Sequence, residues 1–213
     1  MSSRACARAL WILSGALWLG AVAAGLAALM AYDNRPGIAA DAPVEWPADS
    51  RLARDPDGPT LVMLAHPRCD CTRASLAELA ELLARSPRRP QAYVVFIRPG
   101  PVQGGWEQTD LWRRAEAIPG VTVVRDAQGA EARRFGVRTS GQVLLYGAGG
   151  RLLYSGGTTG SRGKTGDNAG RAAVLAALAG DGSQDSSPVF GCSMFGPADA
   201  AAEAADAHES HTR

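Results

Sequence analysis

The chain begins with a long apolar stretch that carries no charged residue. From Ala9 to Tyr32 the sequence reads ALWILSGALWLGAVAAGLAALMAY. A helix of about 20 apolar residues spans a bilayer, so this stretch predicts a transmembrane anchor. Arg4 and Arg8 precede it and no comparable basic cluster follows it, so the positive-inside rule predicts a cytoplasmic N-terminus. The alternative is a signal peptide cleaved near AVA at 21–23. In both cases the domain that follows is exported.

Beyond residue 58 the hydrophobic pattern predicts alternating strands and helices. Short apolar runs indicate strands at 60–65, 91–97 and 121–126, and amphipathic segments indicate helices at 74–85, 108–118, 130–136 and 168–180. Two further strands within 142–157 are joined by a Gly-rich turn, which is typical of a hairpin. The order β-α-β-α-β-α-β-β-α predicts parallel strands joined through helical crossovers, with an antiparallel hairpin at one edge.

The remaining segments show no sustained period. Residues 33–58 are rich in Pro, Asp and Ala and predict a tether. Residues 181–196 are irregular, and the Ala- and Asp-rich tail that follows them is predicted to be disordered. The predicted parts are a cytoplasmic N-terminus, an anchor, a linker, a folded domain and a tail, at residues 1–8, 9–32, 33–58, 59–196 and 197–213.

Charge and motif spacing argue against nucleic-acid and nucleotide binding. The formal net charge is +1, whereas a nucleic-acid-binding domain shows a basic face. The loop at 157–168 contains Gly-Lys-Thr, but Thr158 stands where a P-loop needs its first glycine. We expect this loop to lie instead beside the active site, whose candidate residues are the cysteines described below. Its candidate polar groups there are Arg162, Lys164 and Asn168.

The cysteine count indicates redox or metal chemistry. Cys6 precedes the anchor and would stay in the reducing cytoplasm. Cys69, Cys71 and Cys192 follow the anchor, and their odd number leaves one thiol outside any single intramolecular pair. This pattern favours a redox pair with a third thiol, or a metal site.

Two of these cysteines stand one residue apart in HPRCDCTRAS. Cys69 follows the first predicted strand, and Cys71 lies at or just before the start of the next helix. Ser75 with Glu78 predicts a capping box for that helix, with Thr72 as an alternative cap. The N–H groups and dipole at a helix N-terminus stabilise a thiolate, which is the species that attacks disulfides or binds metals. The alternative is a pair of small buried hydrophobic side chains.

The stretch from about Thr60 to Gly180 resembles the thioredoxin-like superfamily, in particular its exported, membrane-tethered branch. The resemblance rests on the order of elements, on the cysteines after the first strand and on FGVRTSGQVLLYGAGGRLLYSGG. SGGTTGSRG and PVFGC are similar to the RedB-like group. The resemblance implies an α/β thioredoxin-like three-layer sandwich with a mixed sheet, preceded by one transmembrane helix. It also implies a thiol–disulfide oxidoreductase that acts on protein thiols or disulfides at the periplasmic side of a bacterial inner membrane.

The sequence departs from the family pattern at two places. The family pair is CxxC, whereas CxC closes a smaller ring that we expect to be easier to reduce. The family also has a cis-proline before the hairpin, and the matching positions here are Ser140 and Gly141. Its loss leaves the docking of a substrate peptide open and removes a feature that keeps metal away from the pair.

Three functional hypotheses follow from the cysteines. In the first, Cys69 is the exposed nucleophile and Cys71 resolves it, with the reverse assignment also open. Cys192 is then a second resolving cysteine or a leftover thiol in a tail. No cofactor is needed in this hypothesis.

In the second hypothesis His66, Cys69, Cys71 and Cys192 hold copper or zinc, since thiolates and imidazole suit these metals. His66 packing at the end of its strand is the alternative. His208 and His211 are expected to be solvent-exposed. In the third hypothesis the domain has kept the fold, has lost the chemistry and acts as a tethered interaction module.

Overall fold

The computed structural model describes residues 3–100, 102, 104–181 and 185–196. The chain divides into two compact units, and the boundary in the sequence falls between Arg35 and Pro36. The first unit is helix α1 (Ser3–Asp33), which contains the predicted anchor. Its portion Ala7–Asp33 has 27 residues and a window of mean hydropathy 2.0 with no buried residue, so it is long and apolar enough to cross a membrane.

The second unit is built around a six-stranded mixed sheet of order β3-β2-β1-β4-β5-β6. Strands β1, β2 and β3 are parallel, β4 runs antiparallel to β1 and β5, and β6 is parallel to β5. The elements are β1 (Thr60–Ala65), α2 (Asp70–Arg85), β2 (Gln91–Arg98), α3 (Asp110–Glu116), β3 (Val121–Ala127), α4 (Ala130–Arg134), β4 (Gln142–Tyr146), β5 (Leu152–Gly157), α5 (Ala169–Ala179) and β6 (Asp185–Ser187). This architecture confirms the predicted mixed α/β sheet of thioredoxin-like type.

Strand β1 lies at the centre of the sheet and all six of its residues are buried. Because side chains alternate across a strand, Leu61 and Met63 pack on one face while Val62 and Leu64 pack on the other. Helices α2, α3 and α5 cover the first face. Helix α4 covers part of the second face, which makes the three layers.

Part of the predicted linker packs on that second face. Trp46 lies edge-on against Phe135 and Tyr146, with ring centroids 5.1 and 5.2 Å apart. Its backbone N–H donates to the carbonyl of Gly150 at 2.7 Å, and Leu52 is buried in the same cluster. Helix α4 has only five residues, so these apolar side chains cover sheet surface that it leaves open. The compact unit therefore begins at Pro36, before the boundary predicted at residue 59.

The segment after α5 also carries more structure than its irregular sequence predicts. Strand β6 pairs with β5 through Ser155–Ser186 and Gly156–Ser187. A Cβ atom at Gly156 would lie 2.6 Å from the backbone nitrogen and oxygen of Ser187, so the close approach requires glycine here. The tail 197–213, with His208 and His211, lies outside the described residues, as does the side chain of Cys6.

Candidate active site

Cys69 and Cys71 lie at the beginning of helix α2, at the end of the central strand. The helix starts at Asp70, so Cys69 is its N-cap residue and Cys71 belongs to its first turn. Cys69 is 1% exposed, Cys71 is partly buried and Cys192 is exposed. The expectation of an exposed Cys69 nucleophile is therefore wrong, because another segment of the chain covers this sulfur.

That segment brings Cys192 to Cys69. The two Sγ atoms lie 2.7 Å apart, although 123 positions separate the residues in the sequence. A disulfide bond measures about 2.05 Å, so these sulfurs are within reach of one another for bond formation. Cys192 is thus part of the site, and the alternative of a leftover thiol in a tail does not describe its position.

Backbone pairing holds Cys192 in this place. Residues 192–194 run antiparallel to residues 138–140, which precede β4, and both segments donate backbone hydrogen bonds to the other. The pairs are Ser140 N–H to Cys192 O at 2.9 Å, Met194 N–H to Arg138 O at 2.8 Å and an antiparallel bridge between Thr139 and Ser193. Met194 is also buried in the core cluster on the second face of the sheet. The position of the Cys192 sulfur is therefore set by the fold around it.

Ser140, one of the two positions where the resemblance to the thioredoxin-like superfamily leads one to expect a proline, joins three parts of the site. Its backbone N–H bonds Cys192, its Oγ accepts from the N–H of His66 at 2.8 Å, and the same Oγ lies 2.9 Å from Thr72 Oγ1. A proline has no N–H, so it could not make the bond to Cys192. The N–H of Ser140 is therefore one of the groups that hold the Cys192 segment in this position.

Gly191 allows the segment to come close to this loop. A Cβ atom at this position would lie 1.9 Å from the carbonyl oxygen of Ser140, so any other residue would displace the backbone. The carbonyl of Gly191 accepts from Arg162 Nη1 at 2.7 Å. Two residues earlier, the carbonyl of the buried Val189 accepts from the N–H of Gly37 at 2.8 Å.

The surroundings shift the pKa values of Cys69 and Cys192 in opposite directions. Burial raises the pKa of the Cys69 thiol, but hydrogen bonds from Cys192 and from the N–H groups of Cys71 and Thr72 outweigh it, so the net shift is downward. The sulfur of Cys192 faces Cys69, and desolvation together with the hydrogen bond to Cys69 raises the pKa of Cys192 to about 12. Cys69 is therefore the more acidic thiol of the pair.

Cys71 is a third thiol beside this pair. Burial and the negative charge of Cys69 raise the pKa of Cys71, while the guanidinium of Arg162 acts in the opposite direction. The expectation that loop 157–168 brings a polar group to the site thus holds for Arg162. Lys164 is exposed, and Asn168 caps helix α5 by accepting from Arg171 N–H at 2.8 Å.

A buried ion pair beneath this loop was not anticipated from the sequence. Glu78 and Arg171 are 2% and 7% exposed and are hydrogen-bonded through Oε2 and Nη1. The other oxygen of Glu78 accepts from Gly166 N–H at 2.6 Å, and Asn168 Nδ2 donates to Oε2 at 3.2 Å. Glu78 therefore ties the loop that carries Arg162 to helix α2, and it does not cap the helix as predicted.

The side chain of His66 contacts residues other than the cysteines. Its Nδ1 accepts from Arg68 N–H at 3.1 Å, and its ring lies edge-on to Trp106 with centroids 5.6 Å apart. Burial, and then the charge of Arg68, lower the pKa of His66. Among the described residues, no group of three or more His, Cys, Asp or Glu side chains is arranged to hold a metal ion. The four residues of the copper or zinc hypothesis do not form a preassembled ligand set.

Comparisons with known proteins indicate a shared fold. No protein-family model matches the chain, and no curated protein matches it in sequence. A conserved protein from Geobacillus kaustophilus, described as uncharacterized, has a similar solved structure with TM-score 0.55 and 16% identity over 77% of this chain and 94% of that one. A hypothetical protein from Sinorhizobium meliloti 1021 gives TM-score 0.48 and 24% identity, covering 75% and 93% of the two chains.

A third similar structure is that of the pneumococcal exposed lipoprotein thioredoxin from Streptococcus pneumoniae strain TIGR4. It gives TM-score 0.44 and 15% identity, covering 59% of this chain and 87% of that one. At such identities the similarity concerns the fold alone, so the chemistry of this chain has to be argued from its own residues.

Proposed function

We propose that the chain is a membrane-anchored thiol–disulfide oxidoreductase with an exported catalytic domain, and that its redox pair is Cys69 and Cys192. The observation that carries the proposal is the 2.7 Å contact between the two sulfurs, fixed by backbone pairing on the Cys192 side. The lowered pKa of Cys69 supports it, because the thiolate is the reactive form of cysteine.

The proposed reaction is reversible exchange of a disulfide between this pair and a partner protein. In one direction the two thiols of the pair become one disulfide, and a partner disulfide takes up the two electrons and two protons. In the other direction a partner dithiol is oxidised and the pair is reduced. Cys71 has a charge interaction with Cys69, so it is the candidate for a further exchange step.

The proposed location is the periplasmic side of a bacterial inner membrane. Helix α1 supports anchoring through its length and hydropathy, and Arg4 and Arg8 before it support a cytoplasmic N-terminus. An exported domain also meets the oxidising conditions in which disulfides persist. Membership of the RedB-like group stays a prediction, and PVFGC, one of the segments that suggest it, contains Cys192.

The test is an exchange assay on the full chain in detergent. The rate at which the protein exchanges its disulfide with reduced and oxidised glutathione is measured for the wild type and for Cys69→Ser and Cys192→Ser. Both variants are expected to fall to the background rate, while Cys6→Ser serves as the matched control and keeps the wild-type rate. Wild-type exchange in Cys69→Ser would contradict the proposal. Metal analysis belongs to the same experiment, since one equivalent of copper or zinc would favour the metal-carrier hypothesis instead.

A further inference from the structure

We infer that a reducing partner attacks the oxidised pair at Cys192, so that the mixed disulfide forms on Cys192 and not on Cys69. This inference rests on the proposed Cys69–Cys192 pair and adds the order of attack and the class of partner. It reverses the order that the sequence predicts, in which Cys69 meets the partner first.

The argument begins with access to the two sulfurs. Thiol–disulfide exchange requires the incoming thiolate to reach the sulfur that it attacks. Cys69 is 1% exposed, beneath the segment that carries Cys192, whereas Cys192 is exposed. Of the two cysteines, Cys192 is therefore the one that a protein thiol can approach from the surface.

The cover over Cys69 does not depend on the bond between the sulfurs. Hydrogen bonds to its backbone hold the segment on both sides of Cys192. Val189 O accepts from Gly37 N–H, Gly191 O accepts from the Arg162 side chain through Nη1, and Met194 N–H donates to Arg138 O. Val189 and Met194 are also buried. Cys69 thus stays covered at the moment when a partner arrives, and the choice between the sulfurs is set by the fold.

The leaving group also favours this order. When a thiolate attacks Cys192, the Cys69–Cys192 bond breaks and Cys69 takes its electron pair as a thiolate. Burial disfavours that charge, and the N–H groups of Cys71 and Thr72 at the start of helix α2 stabilise it. Exchange is faster when the leaving thiolate is the more stable one. Attack on Cys69 would instead expel Cys192, whose surroundings disfavour the thiolate.

The complete reaction balances with a dithiol partner. The first partner thiolate forms a bond to Cys192 and releases Cys69 as a thiolate. The second partner thiolate then attacks the sulfur of the first partner cysteine in the mixed disulfide. This releases Cys192, which takes up a proton. One dithiol becomes a disulfide and the pair is reduced. The partner class is therefore a protein dithiol whose second thiol lies close to the first.

The experiment locates the mixed disulfide formed with a monothiol. The full chain with Cys6→Ser and Cys71→Ser is oxidised in detergent, so that only Cys69 and Cys192 can react. It is then exposed briefly to excess reduced glutathione, quenched with acid and mapped by peptide mass spectrometry. We expect glutathione on Cys192 at least about tenfold more often than on Cys69. Predominant glutathione on Cys69 would overturn the inference while leaving the proposed pair intact.

The same protein unfolded in guanidinium is the matched control. There both sulfurs are accessible, and we expect the preference to fall to within about threefold of equal. A tenfold preference that persists in denaturant would overturn the inference, because the selection would then not come from burial. Absence of any Cys69–Cys192 disulfide in the oxidised starting protein would overturn the proposed function and this inference together.

Discussion

The backbone N–H of Ser140 donates to the carbonyl oxygen of Cys192 at 2.9 Å. This bond begins the short antiparallel ladder that holds the Cys192 sulfur against Cys69. A proline at position 140 would lack this N–H, so the donor at this position helps to hold a distant cysteine in the site.

Replacing Ser140 by proline tests this link. Ser140→Pro removes the donor, and because one hydrogen bond contributes about 1 kcal/mol we expect the equilibrium constant for the Cys69–Cys192 disulfide to fall at least about fivefold. The measurement is the fraction of disulfide in a series of glutathione redox buffers. Ser140→Ala is the control, since it loses the Oγ contacts with His66 and Thr72 but keeps the N–H. Equal disulfide fractions in the two variants would contradict the role given to the N–H.

Gly191→Ala tests the close approach of the segment. Its new Cβ would lie 1.9 Å from Ser140 O, so the segment has to move and uncover Cys69. In the reduced protein we expect iodoacetamide to alkylate Cys69 about tenfold faster than in the wild type, because access limits its reaction. Gly149→Ala is the matched control, because its Cβ would meet no atom within 4 Å. Unchanged alkylation in Gly191→Ala would show that the segment does not cover Cys69.

The acidity of Cys69 should depend on the donor at position 192. We compare two variants that both carry Cys6→Ser and Cys71→Ser, one with Cys192→Ala and the other with Cys192→Ser. In each of them Cys69 is the single remaining thiol. The two replacements are similar in size, but only serine keeps an O–H that can donate to the thiolate. We therefore expect the pKa of Cys69 to be higher in the alanine variant, with less thiolate at neutral pH. Thiolate absorbance followed against pH measures this, and identical titrations would argue against the donor.

Glu78→Gln should destabilise the folded domain strongly. It removes the buried counter-charge of Arg171 and leaves only the solvent-exposed carboxylate of Asp167 as its ion-pair partner. Breaking a buried pair costs about 3 kcal/mol of unfolding free energy. Denaturant unfolding of the full chain in detergent checks this. Glu81→Gln on the same helix is the control, because its pair with Arg85 is solvent-exposed and should contribute about 0.5 kcal/mol or less. Similar effects of the two changes would contradict the structural role of Glu78.

The sheet and the first cysteine position could be predicted because their signals are local. Strand β1 is a continuous apolar run, and the amphipathic period of α2 follows within a few residues, so the position of Cys69 between them is expected. The glycine-rich loop near the site was predicted for the same reason, since it lies between a recognisable strand and helix.

The contacts that complete the site could not be predicted, because they join distant parts of the sequence and the segment around Cys192 shows no hydrophobic periodicity. Cys192 pairs with a residue 123 positions away, and its segment reaches the site through backbone bonds, which leave no side-chain pattern in the sequence. Gly156 and Gly191 are the residues that make this approach possible, yet a glycine in a loop does not reveal what it approaches. The spacing of Ser75 and Glu78 predicts a helix cap, whereas the ion pair that Glu78 forms cannot be read from the sequence because Arg171 is 93 positions away.

Mapping the disulfide in the oxidised full chain tests the central claim most directly. After alkylation of free thiols and digestion with trypsin, Cys69 and Cys71 stay together in the peptide of residues 69–73, whereas Cys192 lies in another peptide. Our account predicts that the two peptides are joined, with Cys71 carrying the alkyl group. A bond inside the 69–73 peptide, with Cys192 alkylated, would contradict it.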